Sequence, residues 1–223
     1  MKFQSKGIQN IYCDSKSNLF ETVKINFYKL DEYGTLSNIN SLLIKERTNA
    51  CLDTIKYSIN NIKDTIIIEL KTNPKTLKEF FIGSTVYRIE RFDYPFPQND
   101  NDFSQMFSHC TKLVYVDLTN FSFITAKDIN HFFYNCVNLE IVKFPKNEKA
   151  LLITDCSNMF SNANHLTSID LSMFSLKNVR NMYYMFQNCY YLKNIIFFTE
   201  EKVTNLRLLY NMLIAVVIWL LLI

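Results

Sequence analysis

The stretch Met106-Phe107-Ser108-His109-Cys110-Thr111-Lys112-Leu113 returns three times along this chain. It comes back as Phe132-Phe133-Tyr134-Asn135-Cys136-Val137-Asn138-Leu139, as Met159-Phe160-Ser161-Asn162-Ala163-Asn164-His165-Leu166 and as Met185-Phe186-Gln187-Asn188-Cys189-Tyr190-Tyr191-Leu192. Phe107, Phe133, Phe160 and Phe186 lie 26, 27 and 26 residues apart. A fixed period of this length is the signature of stacked units, each of which buries its apolar side only against its neighbours. Such an array offers a long surface of like positions, whereas catalysis needs unlike groups converging on one point.

The columns run beyond the quoted phrase. Three residues after each Phe stand Cys110, Cys136, Ala163 and Cys189, and three further Leu113, Leu139, Leu166 and Leu192. Then come Val116, Val142, Ile169 and Ile195, followed two residues on by Leu118, Phe144, Leu171 and Phe197. The spacing of three predicts a turn of α- or 3-10 helix. The final spacing of two predicts a short strand, and strands of adjacent units would lie ~4.8 Å apart in a parallel ladder. The return leg is patterned too, with Ala126, Ile153, Val179 and Val203 in one column and Ile129, Cys156, Met182 and Leu206 in the next. Residues 66–81 align without a gap to residues 195–210. That adds a weaker first unit with Ile66 and Ile68 as its strand, Leu77, Phe80 and Phe81 in the apolar columns, and Ser84 in place of Cys.

The pattern Met-Phe-x-x-Cys-x-x-Leu-x-x-(Val/Ile)-x-(Leu/Phe), with Asp-Leu-(Ser/Thr)-x-(Met/Asn)-Phe and Asn-Val-x-Asn-Met between copies, resembles BspA-like leucine-rich repeat proteins. The closest stretch is Leu166-Thr-Ser-Ile-Asp-Leu-Ser-Met-Phe-Ser-Leu-Lys-Asn-Val-Arg-Asn-Met-Tyr-Tyr-Met-Phe186, and the resemblance covers about residues 62–210. It implies a surface or secreted protein of a bacterium or protist, with adhesion or protein binding as its role and no catalytic residues. The start of the chain, MKFQSKGIQNIYCDSKSN, departs from it by lacking the apolar stretch of a secretory signal.

Composition narrows the function classes. The chain has 223 residues, 48% of them hydrophobic, so a sizeable core is within reach. Net charge is +3 and no dense basic run occurs, so nucleic acid is not an expected partner. None of the six cysteines stands in a C-x-x-C pair, which argues against zinc or a redox motif. Ala163 fills the cysteine column in one unit, so that column is read as small-residue packing. His109, His131 and His165 occupy three different columns without carboxylates at metal-ligand spacing, so no active site is built on them. There is no phosphate loop or nucleophile motif. Catalytic residues, cofactors, metals and a small-molecule substrate are therefore not expected. Asn120-Phe121-Ser122 is a glycosylation sequon that is equally ordinary turn chemistry.

The expected contact surface is the outward face of the strands. Residues flanking the buried pair point away from the core. They are Tyr115 and Asp117, Ile141 and Lys143, Ser168 and Asp170, and Asn194 and Ile196. Tyr115, Ile141 and Ile196 would be apolar groups on an open surface, which fits a protein partner.

Both ends are less regular. Val23, Ile25 and Phe27 alternate as in a strand, and residues 37–59 carry apolar groups at helical spacing. Together they read as a cap over the first unit. Residues 212–223, MLIAVVIWLLLI, are unbroken apolar sequence, and no charge follows Arg207. A membrane-spanning helix wants about 20 residues, and the stretch from Leu208 to Ile223, apolar but for Asn211, is slightly short of that, so a tail anchor is one reading. Alternatively, Leu213, Val216, Trp219 and Leu221 continue the column offsets from Tyr210, but a terminal unit with apolar residues all round needs a membrane, a partner or further sequence to cover it.

The expectation is an α/β fold: a right-handed leucine-rich-repeat solenoid with short parallel strands and helical or 3-10 return segments. Residues 1–60 would form the N-terminal cap region, 61–210 the repeats and 211–223 the hydrophobic tail, with Met212, Trp219 and Leu221 touching membrane or partner. The expected function is non-catalytic protein binding at a membrane or cell surface. A cytoplasmic scaffold using the same strand face is the alternative.

Overall fold

The computed structural model describes residues 12–13, 24–29, 52–60, 63–70, 74–83, 86–93 and 101–197. Ten strands are present: β1 (Tyr12–Cys13), β2 (Lys24–Lys29), β3 (Leu52–Asn60), β4 (Lys63–Leu70), β5 (Pro74–Thr76), β6 (Val86–Asp93), β7 (Tyr115–Asp117), β8 (Ile141–Lys143), β9 (Ser168–Leu171) and β10 (Asn194–Phe197). Six form a mixed sheet in the order β3-β4-β2-β6-β7-β8, while β1 pairs with β5 and β9 with β10. Pairing is antiparallel from β3 to β6 and parallel from β6 to β8.

This corrects the expected α/β class and right-handed solenoid. Among the described residues there is no helix, and the strands do not make one parallel ladder. The physical reason lies two residues either side of each Phe. Gln105 and His109, His131 and Asn135, Asn158 and Asn162, and Tyr184 and Asn188 all have φ between 54° and 65°. A left-handed residue every fourth position cannot sit in a right-handed helix. The spacing of three is instead met by separate turns: Cys110 N–H donates to Phe107 O and Leu113 N–H to Cys110 O. Alternate amides leave the unit altogether. Phe103, Gln105, Phe107 and His109 donate to Asp128, Asn130, Phe132 and Tyr134, and Phe133 and Phe160 donate to Met159 and Met185 at 2.8 and 2.9 Å. Backbone satisfaction that a helix would find internally is found in the next unit.

The N-terminal strands also depart from expectation. Ile66 and Ile68 stand in β4, antiparallel to Phe27 and Ile25 of β2, so they do not begin a parallel ladder. That place belongs to β6, where Ile89 is opposite Val116. Leu52 and Ile55 lie in β3, not in a helix, because β3 completes the antiparallel part of the sheet. The rest of the helix expected over 37–59, together with Val23, Ser84 and most of the cap, lies outside the described residues.

The apolar columns form the core. Phe81, Phe107, Phe133, Phe160 and Phe186 are fully buried and stack in a row, with centroids 5.2, 5.1, 5.5 and 5.5 Å apart and planes within 21°. Burying each ring stabilises by about 1.5–3 kcal/mol. The cysteine column runs beside them. Thiols of Cys110, Cys136 and Cys189 donate to the carbonyls of Phe81, Phe107 and Phe160, each at 3.0 Å. Asp102, Asp128, Asp155 and Asn181 stack in parallel bridges at the start of each turn, where each side chain accepts the N–H two residues on.

Candidate partner-binding face

The expected contact residues divide into two groups. In the first, β6, β7 and β8 hold Arg88, Tyr115, Asp117 and Lys143 together. The Arg88 guanidinium lies 4.2 Å from the Tyr115 ring centroid and the Lys143 ammonium 5.1 Å from it, so the ring is held between two cations. Tyr115 is 8% exposed as a result, and is not the open apolar group its strand position predicts. Its hydroxyl donates to Asp117 at 3.2 Å, and Lys143 pairs with Asp117 at 3.5 Å. Thr119 donates to the same carboxylate from backbone and hydroxyl, at 3.0 and 2.6 Å. Partial burial works to raise the Asp117 pKa, but hydrogen bonds from Thr119 and Tyr115 and the charge of Lys143 outweigh it, so the carboxyl sits below its ordinary value. The Tyr115 hydroxyl first, and Asp117 after it, hold Lys143 above its own. Arg88 was missed in the sequence because β6 lies outside the clear repeats. Its only signal is its position, 27 residues before Tyr115.

The second group is on β9 and β10, where Ser168, Asp170, Asn194 and Ile196 are all exposed. Parallel register places Ser168 opposite Asn194 and Asp170 opposite Ile196. Burial opposes ionisation of Asp170, but hydrogen bonds from Ser172 and the charges of Lys146 and Lys149 prevail and lower its pKa.

Between β8 and β9 the ladder is interrupted. Glu140 and Ile141 amides donate to Val114 O, and Lys193 and Asn194 amides to Thr167 O, but Thr167 makes no matching bond to Glu140. The unit in between is one residue longer, 27 from Leu139 to Leu166, and Pro145, which has no N–H, follows β8 closely. The turns on the opposite side stay bonded across the same step, as Ile129 to Asp155 and Asn135 to Ser161. The strands are therefore parted on one side only. A shallow recess of about 430 Å³ lies there, lined by Glu140, Ile141, His165, Thr167 and Tyr191. Ile141 is 48% exposed and Ile196 54%.

The remaining candidates resolve simply. Cys110, Cys136, Cys156 and Cys189 are free thiols in the core, and burial pushes Cys189 up to about 12, away from thiolate chemistry. His109 accepts from the Asn135 side-chain amide at 3.0 Å, His131 donates to Asn130 Oδ1 at 2.8 Å and His165 donates to Val137 O at 2.8 Å, while His109 and His131 both pack edge-on against Tyr134, so the three brace turns. Among the described residues no group of His, Cys, Asp or Glu is arranged to hold a metal ion. Ser122 of the sequon donates to Glu148, which also accepts the Phe123 N–H. Met212, Trp219 and Leu221 lie outside the described residues, and among those described no helix is long and apolar enough to cross a membrane.

No curated protein and no solved structure matches the chain. Residues 101–215, just over half of its length, match the family described as Mycoplasma protein of unknown function, DUF285. That span holds all four clear copies of the repeat, and the chain belongs to the DUF285 family.

Proposed function

We propose that this protein is a non-catalytic binding module that engages a protein partner through its strand face, at a membrane or cell surface. The observation that carries the reading is the pairing of exposed apolar groups with an ordered charged cluster. Ile141 and Ile196 stand open beside Lys143 and Asp170, and Lys143 is held by Tyr115 and Asp117. An apolar group next to positioned charges gives both contact area and orientation. The resemblance to BspA-like proteins supports adhesion as the setting, and the uncharged run after Arg207 supports the membrane.

Affinity capture with the full chain tests this. Replacing Ile141→Ser together with Ile196→Ser should weaken capture of a specific partner by more than about five-fold, the threshold at which a contact residue matters. Lys143→Glu should change the salt dependence of capture. A partner retained equally by all these variants would place the binding surface elsewhere.

A further inference from the structure

The seam between β8 and β9 leaves polar groups open in the middle of the strand face. Glu140 N–H is bonded to Val114 O and Lys193 N–H to Thr167 O, but the same bond is missing between Thr167 and Glu140. Among the described residues Glu140 O and Thr167 N–H therefore have no hydrogen-bond partner. Charge is open at the same place. Glu140 is exposed, and among the described residues no cation pairs with its carboxylate. Lys143, three residues on, is already held by Asp117 and the Tyr115 ring, and Lys146 and Lys149 act on Asp170.

Glu140 and Thr167 line the recess of about 430 Å³ together with Ile141, His165 and Tyr191. His165 donates from Nδ1 to Val137 O at 2.8 Å, so Nε2 of its neutral ring is an acceptor. Tyr191 closes the recess from the following unit, its ring stacked on His165 with centroids 6.0 Å apart and planes within 27°. One recess thus gathers a carboxylate, an imidazole acceptor, two aromatic rings and an aliphatic wall, and no lysine or arginine lines it. Its volume lies low in the range of ~300–1,000 Å³ usual for small-ligand pockets, which suits one long side chain and excludes a folded surface. Acceptors beside aromatic and aliphatic walls are what a guanidinium requires. It carries donors alone, pairs a carboxylate through two parallel bonds and stacks on rings, while its stem packs on apolar surface.

We propose that this recess is the socket for an arginine on an extended segment of the protein partner. The guanidinium pairs with Glu140 against the His165 and Tyr191 rings, the stem covers Ile141, and a backbone carbonyl of the same segment accepts from Thr167 N–H. This rests on the strand-face reading above and deepens it by naming the chemistry of the partner: a basic, extended peptide.

The full chain, isotope-labelled on backbone amides and isoleucine methyls, is titrated by NMR with an alanine-arginine-alanine peptide blocked at both ends. The same peptide with lysine, citrulline or glutamate at its centre serves for comparison. The arginine peptide should shift the Ile141 methyl and the Thr167 amide saturably, and the shifts should fade as salt rises. Lysine should bind more weakly, citrulline (planar but uncharged) more weakly still, and glutamate should leave both signals in place. Glu140→Gln should weaken the arginine peptide by about five-fold and the citrulline peptide hardly at all. Glu140 is exposed, so an unchanged melting curve is expected, and the comparison of peptides on the wild type stands even if the variant misfolds. No saturable shift with the arginine peptide, equal affinity for arginine and citrulline, or a Glu140→Gln variant that binds arginine like the wild type each overturns the socket. Capture of the partner separates this from the strand-face reading. A partner lost by Ile141→Ser/Ile196→Ser but held fully by Glu140→Gln overturns the socket alone, and one held fully by both variants overturns both.

Discussion

The acidic residues at the start of each turn do a backbone job at an electrostatic cost. Asp102, Asp128 and Asp155 each accept an N–H two residues on, which satisfies a donor that the turn leaves open. Parallel stacking then brings three carboxylates into one column. Asp102 is compensated by Lys78 at 3.2 Å, and Asp155 accepts from the Asn181 side chain at 3.0 Å. Asp128 stands between the two, and burial first, then the charges of Asp102 and Asp155, raise its pKa against the hydrogen bonds from Asn130. A carboxyl whose folded pKa lies above its unfolded one favours folding as the neutral acid. Its contribution is complete at low pH and is lost as pH rises through the folded value. Asp128→Asn keeps the oxygen that accepts the Asn130 N–H, as Asn181 does for Tyr183. It should therefore raise the melting temperature at neutral pH, with the gap closing as pH falls below the ordinary carboxylate range. A variant less stable than wild type at neutral pH would mean that the ionised form is the one the stack needs. The column itself was hidden in the sequence. Its spacing matches the period, but the Asx-type acceptor role emerges only once the turn exists.

At the scale of elements, the parted strands β8 and β9 govern how the contact face behaves. Thr167 should exchange its amide proton faster than Glu140 and Lys193, its counterparts in the units either side, because theirs are bonded to Val114 O and Thr167 O. Hydrogen exchange read by NMR checks this, and equal protection at the three sites would close the seam. The sequence announced this boundary only as a 27-residue step and a proline. It made the strand columns legible because burial demands apolar residues in register: Val116 and Ile169 are buried, and Val142 and Ile195 partly so. It misled on the turns. The +2 column of His109, Asn135, Asn162 and Asn188 carries the residue types that tolerate positive φ, so it was readable as left-handed backbone. The −2 column mixes His131 and Asn158 with Glu79, Gln105 and Tyr184, which have no such preference, so it carries no common signal. There the conformation is imposed by amides bonding to the next unit, a tertiary fact that no local window contains.

For the whole molecule, the consequence of amides leaving their own unit is that each unit depends on its neighbours for backbone bonds as well as for apolar cover. The phenylalanine row measures that dependence. Phe133 lies between Phe107 and Phe160, at 5.1 and 5.5 Å, while among the described residues Phe186 stacks only on Phe160. Truncating a buried Phe to Ala costs about 3–5 kcal/mol, and a stacked aromatic pair is worth about 0.5–1.5 kcal/mol beyond its area. Phe133→Ala should therefore destabilise toward the upper end of that range, a loss readable in urea titrations followed by circular dichroism. In a stack bound by nearest neighbours, a position between two units loses contacts on both of its interfaces. A cost below about 3 kcal/mol would mean that the neighbouring units collapse into the space the ring leaves.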